Sequence, residues 1–331
     1  PADTEVFASA AEHIRDYVAS NFGADFAAPK SGWLVARPVA SETHDANAVI
    51  PAKLPPGSNM NKQLPRPRQV LNFAVRGGDE SETTLIAMGD MFFDSPYIFG
   101  EPARSLLISC NTCHNKGVTN PQFFIPGLSS VHGGMDVNSS YFNPESNNAI
   151  FDPLDIPDLR GIKHTAPYGR NGRTTSLREF VRNVIVTEFN GTEPTPVMLD
   201  ALIAYMNEFD FLPNPYVGPM GKLTDTAPEA AKRGEKLFYK SFPQMNHLAC
   251  ADCHRPSSSF TDGLSHDIGS VSRSSAYSAD GAMNTPTLLS ATYTAPYFHD
   301  GSLPTLRAVT DWFNETFGLG LTDQEAADLT S

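Results

Sequence analysis

Apolar residues recur at helical spacing in several stretches of this chain, and almost nowhere at the two-residue spacing of a half-buried strand. Between Glu5 and Ala19, Val6, Ile14, Tyr17 and Val18 follow a helical rhythm. Leu177 to Phe189 follows a Thr/Ser-rich start that suits an N-cap. Pro196 to Phe211 reads as another helix, with Val197, Leu199, Leu202, Ile203, Tyr205 and Met206 as its apolar positions. Ala227-Pro228-Glu229 opens one that runs to Phe238, with proline where a first turn tolerates it. Thr322-Asp323-Gln324-Glu325 reads as a helix beginning so close to the last residue that the chain is expected to stop early. The pattern therefore predicts a mainly α fold with long loops. Residues 29–80 lack periodicity and are rich in proline (Pro29, Pro38, Pro51, Pro55, Pro56, Pro65, Pro67), which predicts an extended segment packed over the rest.

The pattern also repeats. Met88-Gly89-Asp90-Met91-Phe92-Phe93 has a counterpart in Arg233-Gly234-Glu235-Lys236-Leu237-Phe238. Thr165-Ala166-Pro167-Tyr168-Gly169-Arg170-Asn171-Gly172, followed by Leu177-Arg178, matches Thr294-Ala295-Pro296-Tyr297-Phe298-His299-Asp300-Gly301, followed by Leu306-Arg307. Register is kept from the threonine to the arginine, so the chain is expected to hold two related units in tandem. A Pro/Gly-rich break over 212–219 separates them. The expected division is 1–81 for the N-terminal helix and extended segment, 82–215 for the first unit and 216–331 for the second.

Composition narrows the class. With 331 residues, 40% hydrophobic and 18% charged, the chain has an ordinary globular balance. Its net charge of −13 argues against nucleic acid, because phosphate binding needs a basic surface. The apolar runs fall far short of the roughly 20 residues of a membrane span. The opening Pro1-Ala2-Asp3-Thr4-Glu5 has neither a basic start nor an apolar segment and reads as a mature or trimmed product.

The four cysteines carry the chemistry. They occur as Cys110-Asn111-Thr112-Cys113-His114 and Cys250-Ala251-Asp252-Cys253-His254. Each is C-x-x-C-H, the attachment signature of c-type haem. Residues three apart share a helical face, so both thiols of a pair can form thioethers to one porphyrin. The following His114 or His254 then stands under the iron as proximal ligand. A zinc site or redox dithiol would need C-x-x-C alone and leaves the histidine after both pairs unexplained. Two covalent haems are expected, supplying much of the core. Such haems are attached outside the bacterial cytoplasmic membrane, so the expected location is the periplasm.

With these motifs the chain resembles the bacterial di-haem cytochrome c peroxidase family, which includes the methylamine dehydrogenase maturation enzyme MauG. Phe92-Phe93-Asp94, Phe260-Thr261-Asp262-Gly263, Asn284-Thr285-Pro286-Thr287-Leu288 and both haem motifs carry the resemblance, from about residue 82 to the end. It implies that the His114 haem is the peroxidatic centre and the His254 haem the electron-transfer centre. It implies a distal glutamate at Glu188, with Glu193 a second option. It implies a calcium ion between the haems, bound by Asp155 and the carbonyls of Thr294 and Pro296; a carboxylate suits calcium's preference for hard oxygen. His132 falls where the peroxidases keep a distal histidine on the resting first haem, and a plain loop histidine is the competing reading. His299 is expected to line the second haem pocket.

The sequence departs from the family in two places. The position of the second haem's distal ligand, methionine or tyrosine in the family, holds Phe313, which cannot ligate iron. Met283 is the nearest thioether, and a five-coordinate haem is the other option. The tryptophan expected between the haems is missing; Trp33 and Trp312 are elsewhere, and Tyr168 either relays electrons or is structural, since Tyr297 repeats it. Three functions follow. The first is reduction of hydrogen peroxide with electrons from a small cytochrome c or cupredoxin. The second is peroxide-driven oxidation of residues on a partner protein, as in MauG, and the third is electron carriage without catalysis. A homodimer is compatible with all three.

Overall fold

Each half of the chain is closed by a pair of helices that cross at a glycine. In the first half, α1 (Glu80–Asp94) packs along α4 (Pro196–Met206). A Cβ on Gly89 would lie 2.0 Å from the carbonyl oxygen of Ala201, so only glycine allows the approach. In the second half, α5 (Glu229–Phe238) packs along α8 (Asp323–Leu329), and a Cβ on Gly234 would lie 2.0 Å from the carbonyl oxygen of Asp328. The repeated Gly89 and Gly234 of the sequence are thus the crossing points.

This computed structural model describes residues 80–331 apart from 137–141, 146, 148, 213, 219 and 272–279. The described residues fall within one unit, Leu64–Ser331. The expected helix over Glu5–Ala19, the proline-rich stretch up to residue 79, and Trp33, His13 and His44 lie outside the described residues.

Between the crossing helices the same elements recur in the same order. Short helices α2 (Cys110–Cys113) and α6 (Cys250–Cys253) carry the cysteine pairs. Pairing of β1 (His114–Asn115) with β2 (Val118–Thr119) then closes a turn in the first half. Next come two antiparallel pairs, β3 (Gly134–Asp136) with β4 (Pro153–Asp155), and β5 (Ser265–His266) with β6 (Met283–Asn284). In each half a threonine hydroxyl ties the loop after the cysteine helix to the strand exit. Thr119 Oγ1 donates to the Ile156 carbonyl at 2.8 Å, and Thr261 Oγ1 to the Thr285 carbonyl at 2.8 Å. The Thr-Ala-Pro-Tyr turns match as well. Both Ala-Pro bonds are cis, and both tyrosine hydroxyls donate back to a carbonyl, Tyr168 to Ile162 at 3.2 Å and Tyr297 to Ala291 at 2.8 Å. The recurring tyrosine therefore has a structural task in both halves.

Helices α3 (Leu177–Asn183) and α7 (Leu306–Phe317) follow, each capped by a hydroxyl, Ser176 or Thr305. The repeated arginines link them to the closing helices. Arg178 bonds Asp200 of α4, and Arg307 bonds Asp323 of α8 at 2.8 Å. The expected helix over 177–189 changes type partway: after Asn183 the chain forms a π-turn, Val184–Glu188, with Phe189 N–H donating five residues back to the Val184 carbonyl at 3.0 Å. The helix expected to reach Phe211 ends at Met206, where Asn207 caps it.

The first half has the larger apolar core. Phe93, Tyr205 and Phe209 meet edge to face with centroids 5.0–5.6 Å apart, above Ile86 and Leu202. In the second half Phe242, Leu319 and Leu321 are buried, and Phe313 and Phe317 of α7 pack against them half-buried. Among the described residues no helix is long and apolar enough to cross a membrane.

Candidate haem-binding and active site

The cysteine helices are a single turn long and are held by their third residue. Thr112 Oγ1 accepts the Ser109 N–H at 3.0 Å, and Asp252 Oδ2 accepts the Ala249 N–H at 2.7 Å. Lys116, just past the first motif, bridges Asp90 at 2.6 Å and Asp94 at 2.7 Å, which anchors the haem loop to α1. No disulfide joins either pair. Burial pushes the thiols of Cys110 and Cys113 up to about 12 and that of Cys250 to about 11, so they are neutral.

Both histidines are oriented by backbone carbonyls. His114 Nδ1 lies 2.9 Å from the Pro157 carbonyl, and His254 Nδ1 lies 3.1 Å from those of Phe260 and Pro286. A carbonyl only accepts, so Nδ1 carries the proton and Nε2 keeps its lone pair. Burial lowers the His114 pKa to about 4 and moves His254 in the same direction, which keeps both rings neutral. A neutral imidazole fixed through Nδ1 is what an iron ligand requires. A further fit to haem comes from Arg160. It is buried and bonds Asp158 through Nε at 2.9 Å, while its Nη1 is buried with no partner, a donor suited to a propionate. Among the described residues one group of His, Cys and acidic side chains is close enough for a metal ion, Cys253, Asp262 and His266. Cys253 is there the second cysteine of its motif. Asp262 pairs with His266 at 2.7 Å beside it, a pairing the sequence reading missed.

Of the two distal candidates, Glu188 and Glu193, burial separates the roles. Glu188 ends the π-turn, its side chain 21% exposed, while Glu193 is 60% exposed and held by Arg182 at 2.7 Å. Burial raises the Glu188 pKa, and Arg173, 2.6 Å away, works against that rise. Arg173 was not singled out from sequence. The signal was available: the matching position of the second repeat is Ser302. His132 is exposed, its ring 5.0 Å from that of Phe124. Met283 lies on β6, three residues before the Pro286 carbonyl that holds His254. Phe313 stacks with Phe317 at 5.8 Å and faces Phe298 at 6.5 Å. Trp312 meets Phe298 edge to face at 4.9 Å.

The two halves exchange contacts at the strands that lead to the proximal carbonyls. Asp155 N–H donates to the His299 carbonyl at 2.8 Å, and Asn284 N–H donates to the Arg170 carbonyl at 2.8 Å. His299 thus serves the seam through its backbone. Asn284 Nδ2 adds a bond to the Pro167 carbonyl at 3.1 Å. Arg170 Nη2 bonds the Asp155 carbonyl and lies 3.1 Å from its Oδ2. Burial lifts the Asp155 pKa to about 7 in spite of Arg170. Its Oδ1 is buried without a partner, and Pro296 packs close by, its ring and the Asp155 Cβ both lying within 4 Å of where a Cβ on Gly301 would stand. An unfilled buried carboxylate oxygen fits a hard cation.

Residues 228–324 match the family model of di-haem cytochrome c peroxidase. Hydrazine synthase subunit gamma of Kuenenia stuttgartiensis is 29% identical over 126 residues, covering 34% of this chain and 33% of that protein. The match thus spans about a third of that relative's length. Among solved structures, Kuenenia stuttgartiensis hydrazine synthase pressurised with xenon aligns at TM-score 0.52 and 21% identity, over 84% of this chain and 96% of that one. A MauG-like protein associated with microbial copper homeostasis aligns at TM-score 0.51 and 17% identity, over 84% and 93%. These likenesses are of fold. The family match covers the second cysteine motif and the turn after it, so residues 228–324 are similar to a domain of the di-haem cytochrome c peroxidase family, a family of oxidoreductases.

Proposed function

We propose that the protein is a periplasmic di-haem c-type peroxidase with a division of labour between two tandem haem domains, 82–215 and 216–331. The observation that carries this is the asymmetry at the helix after the repeated turn. The first half holds a mostly buried glutamate, Glu188, on a π-turn; the second half continues as an ordinary α-helix that ends at Phe317 and carries no buried glutamate. One half ends this helix on a mostly buried carboxylate, while Asp311 and Glu315 of the other half's helix are half-exposed and exposed, which supports one reaction centre and one electron-transfer centre. It also disfavours a pure electron carrier.

When bound through Cys110, Cys113 and His114, a haem supplies the electrons and the open position that peroxide reduction needs. The chain supplies the rest. The Pro157 carbonyl fixes the His114 ring through Nδ1, leaving Nε2 free to hold the iron. Glu188 moves a proton between the peroxide oxygens, as O–O cleavage demands of a distal acid-base group. Cys250, Cys253 and His254 would hold the second haem, which would supply a site for electrons from a small cytochrome c or cupredoxin. Met283 is the candidate thioether for that haem and His132 the candidate resting ligand of the first. Asp155, with the carbonyls of Thr294 and Pro296, would hold a calcium ion at the seam.

A second reading is peroxide-driven oxidation of a partner protein. Phe313 favours it, because a second haem without the usual thioether loses a donor that raises its potential. Low-temperature EPR of the oxidised protein separates the readings. Two low-spin signals, with peroxide reactivity only after one-electron reduction, support the peroxidase. A high-spin signal that peroxide removes without added reductant supports the second reading. No reaction with peroxide in either state refutes both.

A further inference from the structure

We propose that Arg173 is a positioning residue for the first haem site, holding Glu188 in the orientation and ionised form from which it takes a proton. This rests on the reading of Glu188 as the distal acid-base group. Three independent observations carry it. The first is contact: Arg173 Nη2 and Glu188 Oε1 are 2.6 Å apart. The second is support on both sides. The Arg173 guanidinium lies over the Phe180 ring at 5.3 Å, and a Cβ on Gly169 would come within 2.6 Å of its Nη1. The arginine is thus seated on α3 and against the repeated turn. The third is co-occurrence. Arg173 lies in the stretch of the repeat that keeps register and is replaced by Ser302 in the second half, whose helix α7 carries no buried glutamate.

The π-turn gives the pair its geometry. It adds a residue to the helical turn and so rotates the following side chains relative to the α-helical α7 of the second half. Glu188 is carried to a mostly buried place where a carboxylate without a partner would be costly. Arg173 reaches it from the solvent side, 45% exposed itself. A guanidinium holds a carboxylate in a fixed plane in a way that a lysine ammonium does not.

The proton balance is closed. Hydrogen peroxide takes up two electrons, from the donor protein of the proposed function, and two protons, and leaves as two waters. Glu188 receives a proton from one peroxide oxygen and returns it to the other as the O–O bond breaks, ending as it began. Arg173 exchanges no proton; its task is to keep the acceptor oxygen of Glu188 in place.

The test uses the intact di-haem protein and the variants Arg173→Gln, Arg173→Lys and Glu188→Gln. Two rates are read by stopped flow in the redox state that reacts with peroxide: peroxide consumption, and association of cyanide with the first haem. Hydrogen cyanide must lose its proton to bind, so its association reports the distal base without turnover. The expected result is that R173Q slows both by about 10- to 100-fold, the range of a hydrogen bond to a charged group. R173K recovers part of the loss, and KM changes less than kcat. Infrared difference spectra are expected to show a protonated Glu188 carboxyl in R173Q and not in the parent. If E188Q loses both rates while R173Q keeps them, the role of Arg173 is refuted and the proposed function stands. If E188Q itself keeps both rates, the reading of Glu188 has failed first. Should R173Q not fold, Arg173→Met keeps the stem over Phe180 and decides in the same way.

Discussion

The two halves of the described chain share a plan and part company at the end of one helix. Both cross their closing helices at a glycine, seat a cysteine pair on a single capped turn, and hold the next histidine through Nδ1 to a backbone carbonyl. In the first half α3 gives way to the π-turn that ends at Glu188. In the second half α7 runs on as α-helix, and Phe313 and Phe317 join the apolar cluster. What is shared is what holding a haem by two thiols and an imidazole requires. What differs is whether the helix ends on a mostly buried carboxylate or on an apolar side chain.

The comparison is broken most sharply by Glu188→Gln. Turnover of peroxide is expected to fall by about 10²- to 10⁴-fold, the usual contribution of an acid-base group. Phe317→Leu, at the end of the corresponding helix, is expected to leave turnover near that of the parent. Equal losses in steady-state assays would show that the halves are not divided in labour.

The shared plan is tested by Gly89→Ala and Gly234→Ala. Each places a Cβ against a carbonyl of the crossing helix, and overpacking of this kind costs about 1–3 kcal/mol. Denaturant unfolding is expected to show a loss for both. A loss in one alone would mean that the crossings are not equivalent.

Asn284→Ala sharpens the view of the seam. It removes the side-chain bond to the Pro167 carbonyl and is expected to cost about 1 kcal/mol. Because Asn284 precedes the Pro286 carbonyl that holds His254, the absorption of the second haem is expected to shift more than that of the first.

The smallest effect is a pH dependence. Burial raises the Glu188 pKa, so the folded state binds this proton more readily than the unfolded one. The stability it contributes is complete below the unfolded value and is lost as pH rises through the folded one. E188Q is therefore expected to melt higher than the parent at neutral pH, and this gain is expected to vanish as pH falls toward the ordinary glutamate range. A gain that grew on acidification would contradict the burial of Glu188.

Much of this was legible in the sequence wherever function depends on local spacing. Cys110, Cys113, His114, Cys250, Cys253 and His254 announce themselves because covalent attachment demands fixed offsets. The paired glycines and the Thr-Ala-Pro-Tyr turns were visible as a repeat, although the reason for each glycine needed the partner helix. Glu188 could be narrowed only to itself or Glu193, because a π-turn adds a residue that a 3.6-residue period does not register. Arg173 went unremarked because its bond to Glu188 is made in space across a change of helix type. Its trace in the sequence is the mismatch with Ser302. The carbonyls of Pro157 and Pro286 carry no side-chain signature at all.

The seam between the halves has one more consequence. Asp155 reaches the carbonyl of His299, and Asn284, at the matching place in the repeat, reaches that of Arg170, which matches His299. A contact in which position i meets position j, and j in turn meets i, has the form of an isologous interface, the kind two identical subunits make about a two-fold axis. Within a single polypeptide it is what remains when two such copies are fused end to end. The chain can thus be read as a tethered dimer whose symmetry survives in the backbone and has been broken in the side chains. Arg173 and the π-turn ending at Glu188, against Ser302 and the unbroken α7, mark where the two copies differ.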